Sequence, residues 1–241
     1  LITEYMEDDV EYLDCIYESF PEEQFKRMLD GLATLHARYL KNTEKRMGLI
    51  LPITDNTVRL FESMVLFSWS KPARNILVNS WRRMNKEQTV LHGDARVGNM
   101  MFPSTEGKGR FVLIDWQAVR KGKAVFDLAY FLVLSLTNED RNTCEAEAVE
   151  AYYRLLIEKG VKDYTHEELK EDYKHACLCV LVLLSLPMLS GEASVQGDAA
   201  QLFVYGMNIW RERLESTCTN FGYGWVAKNY NMSEEEARNA V

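Results

Sequence analysis

The hydrophobic positions of the chain recur mostly with helical spacing. From residue 25 to residue 39, apolar side chains return every three or four positions, which predicts an amphipathic helix that ends near Leu40. Pro21 and the two glutamates after it suit the first turn of that helix. Helical spacing or long apolar runs also predict helices over 57–68, 73–84, 126–136, 142–159, 165–187, 199–218 and 233–240.

The middle of the chain has a different pattern. Short apolar runs at 89–91, 99–102 and 110–114 predict three strands, and residues 103–109 between the last two are rich in turn formers. A hairpin of the last two strands places Asn99, at the start of one strand, beside Asp115, at the end of the other. The pattern therefore predicts a mainly α (α+β) chain whose small β-hairpin carries the candidate site.

Composition narrows the possible partners. The chain of 241 residues is 47% hydrophobic and 27% charged, as in ordinary globular proteins, and its net charge is −8. This charge argues against binding to nucleic acid or to an anionic membrane surface. The longest apolar run, 176–189, is too short to span a bilayer. The acidic run at residues 7–11 is interpreted as a solvated linker, with attraction of a cationic substrate as the alternative.

The five cysteines form neither a disulfide framework nor a metal motif. We expect reduced thiols and a cytoplasmic location. The sequence leaves the oligomeric state open.

The candidate chemistry lies in residues 90–131. Asp94 is followed five residues later by Asn99, and Asp115 ends the next apolar run. A carboxylate, an amide and a second carboxylate suit phosphoryl transfer, in which a base accepts a hydroxyl proton and hard oxygen atoms hold Mg²⁺.

The spacing of several motifs resembles the aminoglycoside phosphotransferase and choline kinase-like family, which shares the protein kinase fold. A narrower similarity is to its ecdysteroid kinase-like branch. The matching residues are His92-Gly93-Asp94, Asn99, Ile114-Asp115-Trp116, Gly122 and Asp127-Leu128-Ala129.

That resemblance implies an ATP- and Mg²⁺-dependent kinase that phosphorylates a hydroxyl group of a small molecule. By resemblance, Asp94 is the catalytic base, and Asn99 and Asp115 are the magnesium ligands. Met101 and Ile114 would lie under the adenine. The identity of the phosphorylated substrate stays open.

The resemblance also predicts the domain organisation. Residues 1–6 would be a remnant of the hinge strand, with Glu4 and Met6 at the adenine edge, and residues 7–241 would form the kinase-like C-terminal lobe. The glycine-rich loop and strand lysine of an N-terminal lobe should precede residue 1. We therefore expect this chain by itself to have little or no kinase activity.

Several residues have structural interpretations as well. His92 and His36 are expected to be structural histidines, and Asp127 an N-cap or a carboxylate that braces a loop. Arg96 is expected either to touch the substrate, to brace Asp94 or to lie in solvent. The basic residues Arg120, Lys121 and Lys123 are expected in an exposed loop, or alternatively at an anionic group of the substrate.

Two other functions remain open from the sequence. One is a non-catalytic, nucleotide-binding pseudokinase or regulatory module. The other is a metal-dependent hydrolase that uses His92, Asp94 and Asp115, although few further ligands lie nearby in the sequence.

Overall fold

The computed structural model describes residues 10–12, 20–40, 71–86, 89–103, 110–191 and 198–239. Within these ranges the chain is mostly helical with a few short strands, as the sequence predicts. The helices are α1 (Glu22–Leu40), α2 (Lys71–Met84), α3 (Val125–Ser135), α4 (Asn138–Glu158), α5 (His166–Gly191), α6 (Asp198–Phe221), α7 (Tyr223–Tyr230) and α8 (Glu234–Asn239). The strands are β1 (Val10–Tyr12), β2 (Thr89–Leu91), β3 (Met100–Pro103), β4 (Val112–Leu113) and β5 (Arg120–Gly122).

The strands form two small antiparallel sheets, one in the order β1-β3-β4 and the other made of β2 and β5. The predicted hairpin corresponds to β3 and β4, which pair Met100 with Leu113 and Met101 with Val112. β3 begins one residue later than predicted because Asn99 belongs to a 3-10 turn, Val97–Asn99, and β4 is shorter than the predicted strand over 110–114.

Two segments expected to be irregular are strands. Arg120–Gly122 pairs with β2, so the expectation of an exposed basic loop is wrong for Arg120 and Lys121, whereas Lys123 lies after the strand. Val10–Tyr12 pairs with β3, so the interpretation of the acidic run as a solvated linker is wrong at Glu11, and residues 7–9 of that run lie outside the described residues. In both cases the partner strand is distant in sequence, and a local pattern cannot reveal such pairing.

The contacts of the chain fall into two compact units, a division that the sequence pattern does not indicate. Unit 1 comprises Leu1–Leu51 and Glu87–Leu169, and unit 2 comprises Pro52–Lys86 and Lys170–Val241. In unit 1, α1 packs against α4 and β2, and α3 is buried along almost its whole length. This burial explains why the sequence of α3 is apolar on every face.

In unit 2, α2 and α7 meet around Tyr230. The Tyr230 hydroxyl hydrogen-bonds with the Ser80 hydroxyl at 2.5 Å and with His175 Nδ1 at 2.6 Å. Arg83 and Asp172 form a further link, with Nε and Oδ1 2.8 Å apart. These polar groups fix the packing of three helices on one another.

Capping residues explain where helices begin. The predicted bounds of α1 are confirmed. In contrast, α4 begins at Asn138 rather than at residue 142, because the Thr137 hydroxyl accepts a hydrogen bond from Asp140 N at 3.1 Å. At the start of α5, Thr165 and Glu168 form a complete capping box: each side chain accepts from the other residue's backbone N–H.

Some predictions fall outside the described residues. These are the hinge strand with Glu4 and Met6, the helix over 57–68 and the turn at 104–109. Among the described helices, none is both long enough and apolar enough to cross a bilayer.

Candidate functional site

The loop that follows β2 carries Asp94 and is closed by Asn99. The Asn99 amide nitrogen donates to Asp94 Oδ2 at 2.8 Å and to the Asp94 carbonyl at 2.9 Å. Arg96 Nε lies 3.4 Å from Asp94 Oδ1, so this arginine braces the carboxylate from its solvent side. The structure thus brings two of the three predicted chemical residues into direct contact.

His92 holds this loop against the end of β4. Its Nε2–H donates to the Ile114 carbonyl at 2.7 Å, and its Nδ1 faces the Asp94 backbone N–H at 3.4 Å. The ring is fully buried, and both nitrogens are directed at backbone groups. His92 is therefore a structural histidine rather than a metal ligand.

Asp115 is placed near Asn99 by a backbone hydrogen bond of the preceding residue, Ile114. Ile114 N–H donates to the Asn99 carbonyl at 3.0 Å, which fixes the end of β4 against the end of the loop. Asp115 then adopts a left-handed conformation with φ of 59°, which aspartate tolerates better than most residues. Its carboxylate is exposed, and the Gln117 amide donates to it at 3.3 Å.

The oxygen atoms at this point fit Mg²⁺. Because the Asn99 amide nitrogen donates to Asp94, the amide oxygen is the atom of this side chain that is left for a metal ion. The described residues contain no group of three or more His, Cys, Asp or Glu side chains arranged to hold a metal. Magnesium commonly takes only one or two protein oxygens and completes its shell with phosphate and water, so an amide and a carboxylate suffice.

One face of the β3–β4 hairpin forms a half-buried apolar surface. Paired residues of an antiparallel ladder share a face, and side chains alternate along each strand. Met101 and Val112 are such a pair, and Ile114 follows on the same side. All three side chains are partly exposed, whereas Met100 on the other face is buried. The predicted adenine contacts, Met101 and Ile114, thus belong to one continuous surface.

Asp127 fixes the backbone of the loop by hydrogen bonds. It is fully buried on α3 and accepts from His92 N at 2.7 Å, from Gly93 N at 3.0 Å and from His36 Nε2 at 3.0 Å. Burial alone would raise the pKa of Asp127, but the His36 bond and charge together with the two N–H groups lower it below its ordinary value. Asp127 is therefore a carboxylate that braces the loop, not an N-cap.

Sequence reasoning missed two further residues of α3 at this site. The Ser135 hydroxyl accepts from Val97 N at 2.9 Å, and Tyr130 lies close enough to Asp94 for that carboxylate to raise the pKa of its hydroxyl. Burial, and then the Asp94 charge, raise the pKa of Tyr130 well above its ordinary value. The signal that points to them is their place on the same helix as Asp127, one and two turns further on.

The chain resembles a solved kinase in its fold. It is similar to choline kinase LicA from Streptococcus pneumoniae, with a TM-score of 0.53 and 20% sequence identity, over 90% of this chain and 69% of that one. At this identity the likeness shows the fold alone, which is the protein kinase-like fold predicted from the motifs. No curated protein sequence gives a significant match.

A family model matches residues 76–201, which is more than half of the chain. The matched region includes the loop with Asp94 and Asn99, the hairpin with Asp115, and α3. The chain therefore belongs to the family DUF1679, described as "Uncharacterized oxidoreductase dhs-27".

Proposed function

We propose that this protein is an ATP- and Mg²⁺-dependent phosphotransferase whose acceptor is a hydroxyl group of a small molecule. The observation that carries the proposal is the convergence at Asn99. Its amide donates to the Asp94 carboxylate at 2.8 Å, and its carbonyl accepts from the residue before Asp115 at 3.0 Å. One asparagine thus links a candidate base to a candidate metal ligand.

Each residue then has a definite role. Asp94 orients the acceptor hydroxyl and takes its proton as the phosphoryl group is transferred. Asn99 and Asp115 would hold Mg²⁺, which neutralises phosphate charge when it is bound. Met101 and Ile114 contact the adenine through their half-buried face. The expected contacts of Glu4 and Met6 with its polar edge lie outside the described residues.

The proposal also includes the partners of the protein and its location in the cell. The net charge of −8 disfavours nucleic acid as a partner. The four cysteines in the described part of the chain are free thiols, as expected in a reducing compartment, and we place the protein in the cytoplasm.

The experiment measures transfer of labelled γ-phosphate from ATP to a panel of small alcohols by the full-length protein. We expect Asp94→Asn to lower turnover by about a hundredfold or more while ATP still binds. Asp115→Asn should weaken binding of Mg²⁺-ATP itself. The exposed Asp163, in the loop between α4 and α5, provides a matched control as Asp163→Asn. Turnover at the wild-type level in both site variants would refute the proposal.

The family description favours an oxidoreductase as a second candidate. The sequence feature that most resembles a dinucleotide-binding motif is Gly222-x-Gly224-x-x-Ala227, which has the spacing of the glycine-rich turn. In the structure this segment follows helix α6 and opens α7, whereas a dinucleotide turn follows a strand. Oxidation of NADH or NADPH that depends on Gly222 and not on Asp94 would favour this candidate.

The non-catalytic alternative and the hydrolase make different predictions. A nucleotide-binding module would bind Mg²⁺-ATP but would not release ADP with any acceptor molecule of the panel. The hydrolase would need His92 as a ligand, but the backbone groups of Ile114 and Asp94 engage both of its ring nitrogens. The hydrolase is therefore disfavoured by the geometry of the loop.

A further inference from the structure

An open groove of about 690 Å³ lies between helix α1 and strand β4 of unit 1. One wall is a face of α1 whose residues return at helical spacing: Arg27, Gly31, Thr34 and Arg38. The opposite wall is apolar and comes from β4 and the residues around it: Phe111, Leu113 and Trp116. None of the described residues assigned to phosphate transfer lines this groove.

The groove carries positive charge although the whole chain is acidic. Lys26 is engaged by two glutamates of its own helix, and Asp30 is paired with Lys159 at 2.6 Å, so these charges are already compensated. Arg27 and Arg38 are exposed, and neither forms an ion pair within the described part of the chain. Two arginines without a counter-charge therefore lie along one groove of a chain whose net charge is −8.

The apolar wall of the groove is preformed. Trp116 is 40% exposed, yet its Nε1–H donates to the Leu113 carbonyl at 2.9 Å and its ring meets the His92 ring edge-on at 4.8 Å. At Gly31 a Cβ atom would overlap the Phe111 ring, so this ring lies directly against α1. Glycine costs about 1 kcal/mol relative to alanine inside a helix, and the close approach of the ring offsets that cost. Aromatic rings that are fixed in advance lose little conformational entropy when a partner binds.

The spacing of the two arginines favours an extended partner. Arg27 and Arg38 are eleven positions apart on one helix, so their Cα atoms are separated by about 16 Å. A single carboxylate or phosphate group reaches only one of them. An extended peptide rises about 3.3 Å per residue, so two acidic residues four or five positions apart match both arginines. The residues between them then lie over the apolar wall.

We propose that this groove docks a short extended segment of a partner protein in which two acidic residues flank apolar ones. The acidic side chains pair with Arg27 and Arg38, and the apolar side chains pack on Phe111, Leu113 and Trp116. Arginine binds carboxylates with two parallel hydrogen bonds, and buried aromatic contacts commonly supply most of the affinity of a small interface. Docking uses none of the residues assigned to phosphate transfer, so the groove binds this partner whether or not the protein is a kinase.

The test measures fluorescence polarisation of labelled five- and six-residue peptides in the presence of the full-length protein. Each peptide has aspartate at both ends and a varied set of apolar residues between them. We expect saturable binding that the double variant Arg27→Gln/Arg38→Gln weakens about tenfold or more. Arg154→Gln, which removes an exposed arginine of α4 outside the groove lining, is the matched control and should bind like the wild type. Absence of saturable binding by every peptide, or equal binding by the double variant, would overturn the inference.

A second readout locates the bound peptide. The emission of Trp116 should shift to shorter wavelength when an unlabelled peptide covers its ring, and Trp116→Phe identifies this contribution among the five tryptophans. A peptide with serine at every apolar position should bind at least tenfold more weakly. Equal binding of the serine peptide would show that the groove accepts any polyanion. An emission shift that persists in Trp116→Phe would place the peptide elsewhere, and either result would refute the proposal.

Discussion

Asp94 is held by groups of its own loop. The Asn99 amide and Arg96 contact its carboxylate, and His92 links the loop to the end of β4. Side chains that are fixed by several neighbours keep their geometry at little entropic cost when a substrate binds. The residue-scale predictions below concern Gly93 and Asp127, which fix the path of the same loop.

Gly93 occupies a position that other residues cannot take without strain. Its φ is 86°, and a Cβ atom built there would overlap the Ala118 carbonyl oxygen. We expect Gly93→Ala to cost about 2 kcal/mol or more in the free energy of unfolding and to abolish turnover, since the loop must move away from the 3-10 turn Trp116–Ala118.

Gly222 is the matched control for this substitution. Its φ is 81°, but a Cβ atom there would meet nothing within 4 Å, so Gly222→Ala carries only the backbone strain. Urea unfolding of both variants measures the difference, which should be at least 1 kcal/mol. Equal losses of stability would show that Gly93 does not need its close approach to Ala118.

Asp127 should contribute to stability as a charged group. We expect Asp127→Asn to destabilise the protein by about 3 kcal/mol, because it removes the partner of buried His36 and one acceptor of the loop N–H groups. Because its pKa is lowered on folding, this contribution is present above its ordinary pKa of 3.8 and is lost as the pH falls through the lower folded value.

Denaturant unfolding of Asp127→Asn from pH 7 down to pH 3 checks both parts of that prediction. The wild type should lose its advantage over the variant at the acid end. Asp30→Asn, which changes an exposed carboxylate, should cost less than about 0.5 kcal/mol. An advantage that stays constant over the whole range would contradict a carboxylate with a lowered pKa.

Residues with local signals were predictable from the sequence, and residues that act across helices were not. The spacing of Asp94, Asn99 and Asp115 can be recognised from the sequence because these residues lie on one continuous loop and hairpin. Tyr130 and Ser135 meet that loop only after α3 has folded against it. In the otherwise apolar pattern of α3, only their spacing from Asp127 distinguishes these two side chains.

At the scale of elements, capping decided which boundaries were predictable. Pro21 and the two glutamates of the first turn placed the start of α1 correctly, whereas the cap at Thr137 moved the start of α4 away from the apolar pattern. The short strands β1 and β5 are charged and find partners far away in sequence. Pairing of this kind is determined by tertiary structure and not by the propensity of the strand.

The capping box of α5 gives a prediction at this scale. Thr165→Ala removes the acceptor for Glu168 N, and we expect a loss of about 1 kcal/mol in the free energy of unfolding. Thr143→Ala is the control, because its exposed hydroxyl only donates to a carbonyl inside α4. If thermal unfolding shifts equally in both variants, the capping box does not stabilise α5.

At the scale of the whole molecule, each unit has its own buried polar network. In unit 2, burial and the charge of Arg83 lower the pKa of His175 from 6.5 to about 4. A histidine whose pKa falls on folding binds more protons when it is unfolded, so stability is highest above pH 6.5 and declines as the pH drops toward 4. The carboxylates of Glu171 and Asp172 oppose this shift, and Lys174 adds to it.

We therefore expect the wild type to lose about 2 kcal/mol of unfolding free energy through His175 between pH 6.5 and pH 4. His175→Gln should reduce this slope while it lowers stability at neutral pH, since the bond to Tyr230 is lost. Equilibrium unfolding monitored by the aromatic signal of Trp225, 5.0 Å from His175, measures the slope. The same slope in variant and wild type would contradict the prediction.

The central claim is that Asn99 and Asp115 present oxygen atoms to a magnesium-bound triphosphate beside the Asp94 carboxylate. The most direct test is calorimetric titration of ATP into the full-length protein, with and without Mg²⁺. We predict that Mg²⁺ tightens ATP binding about tenfold or more in the wild type and in Asp94→Asn, and that Asp115→Asn removes this effect. ATP binding that is indifferent to Mg²⁺, or that depends on Mg²⁺ equally with and without the Asp115 carboxylate, would contradict the account.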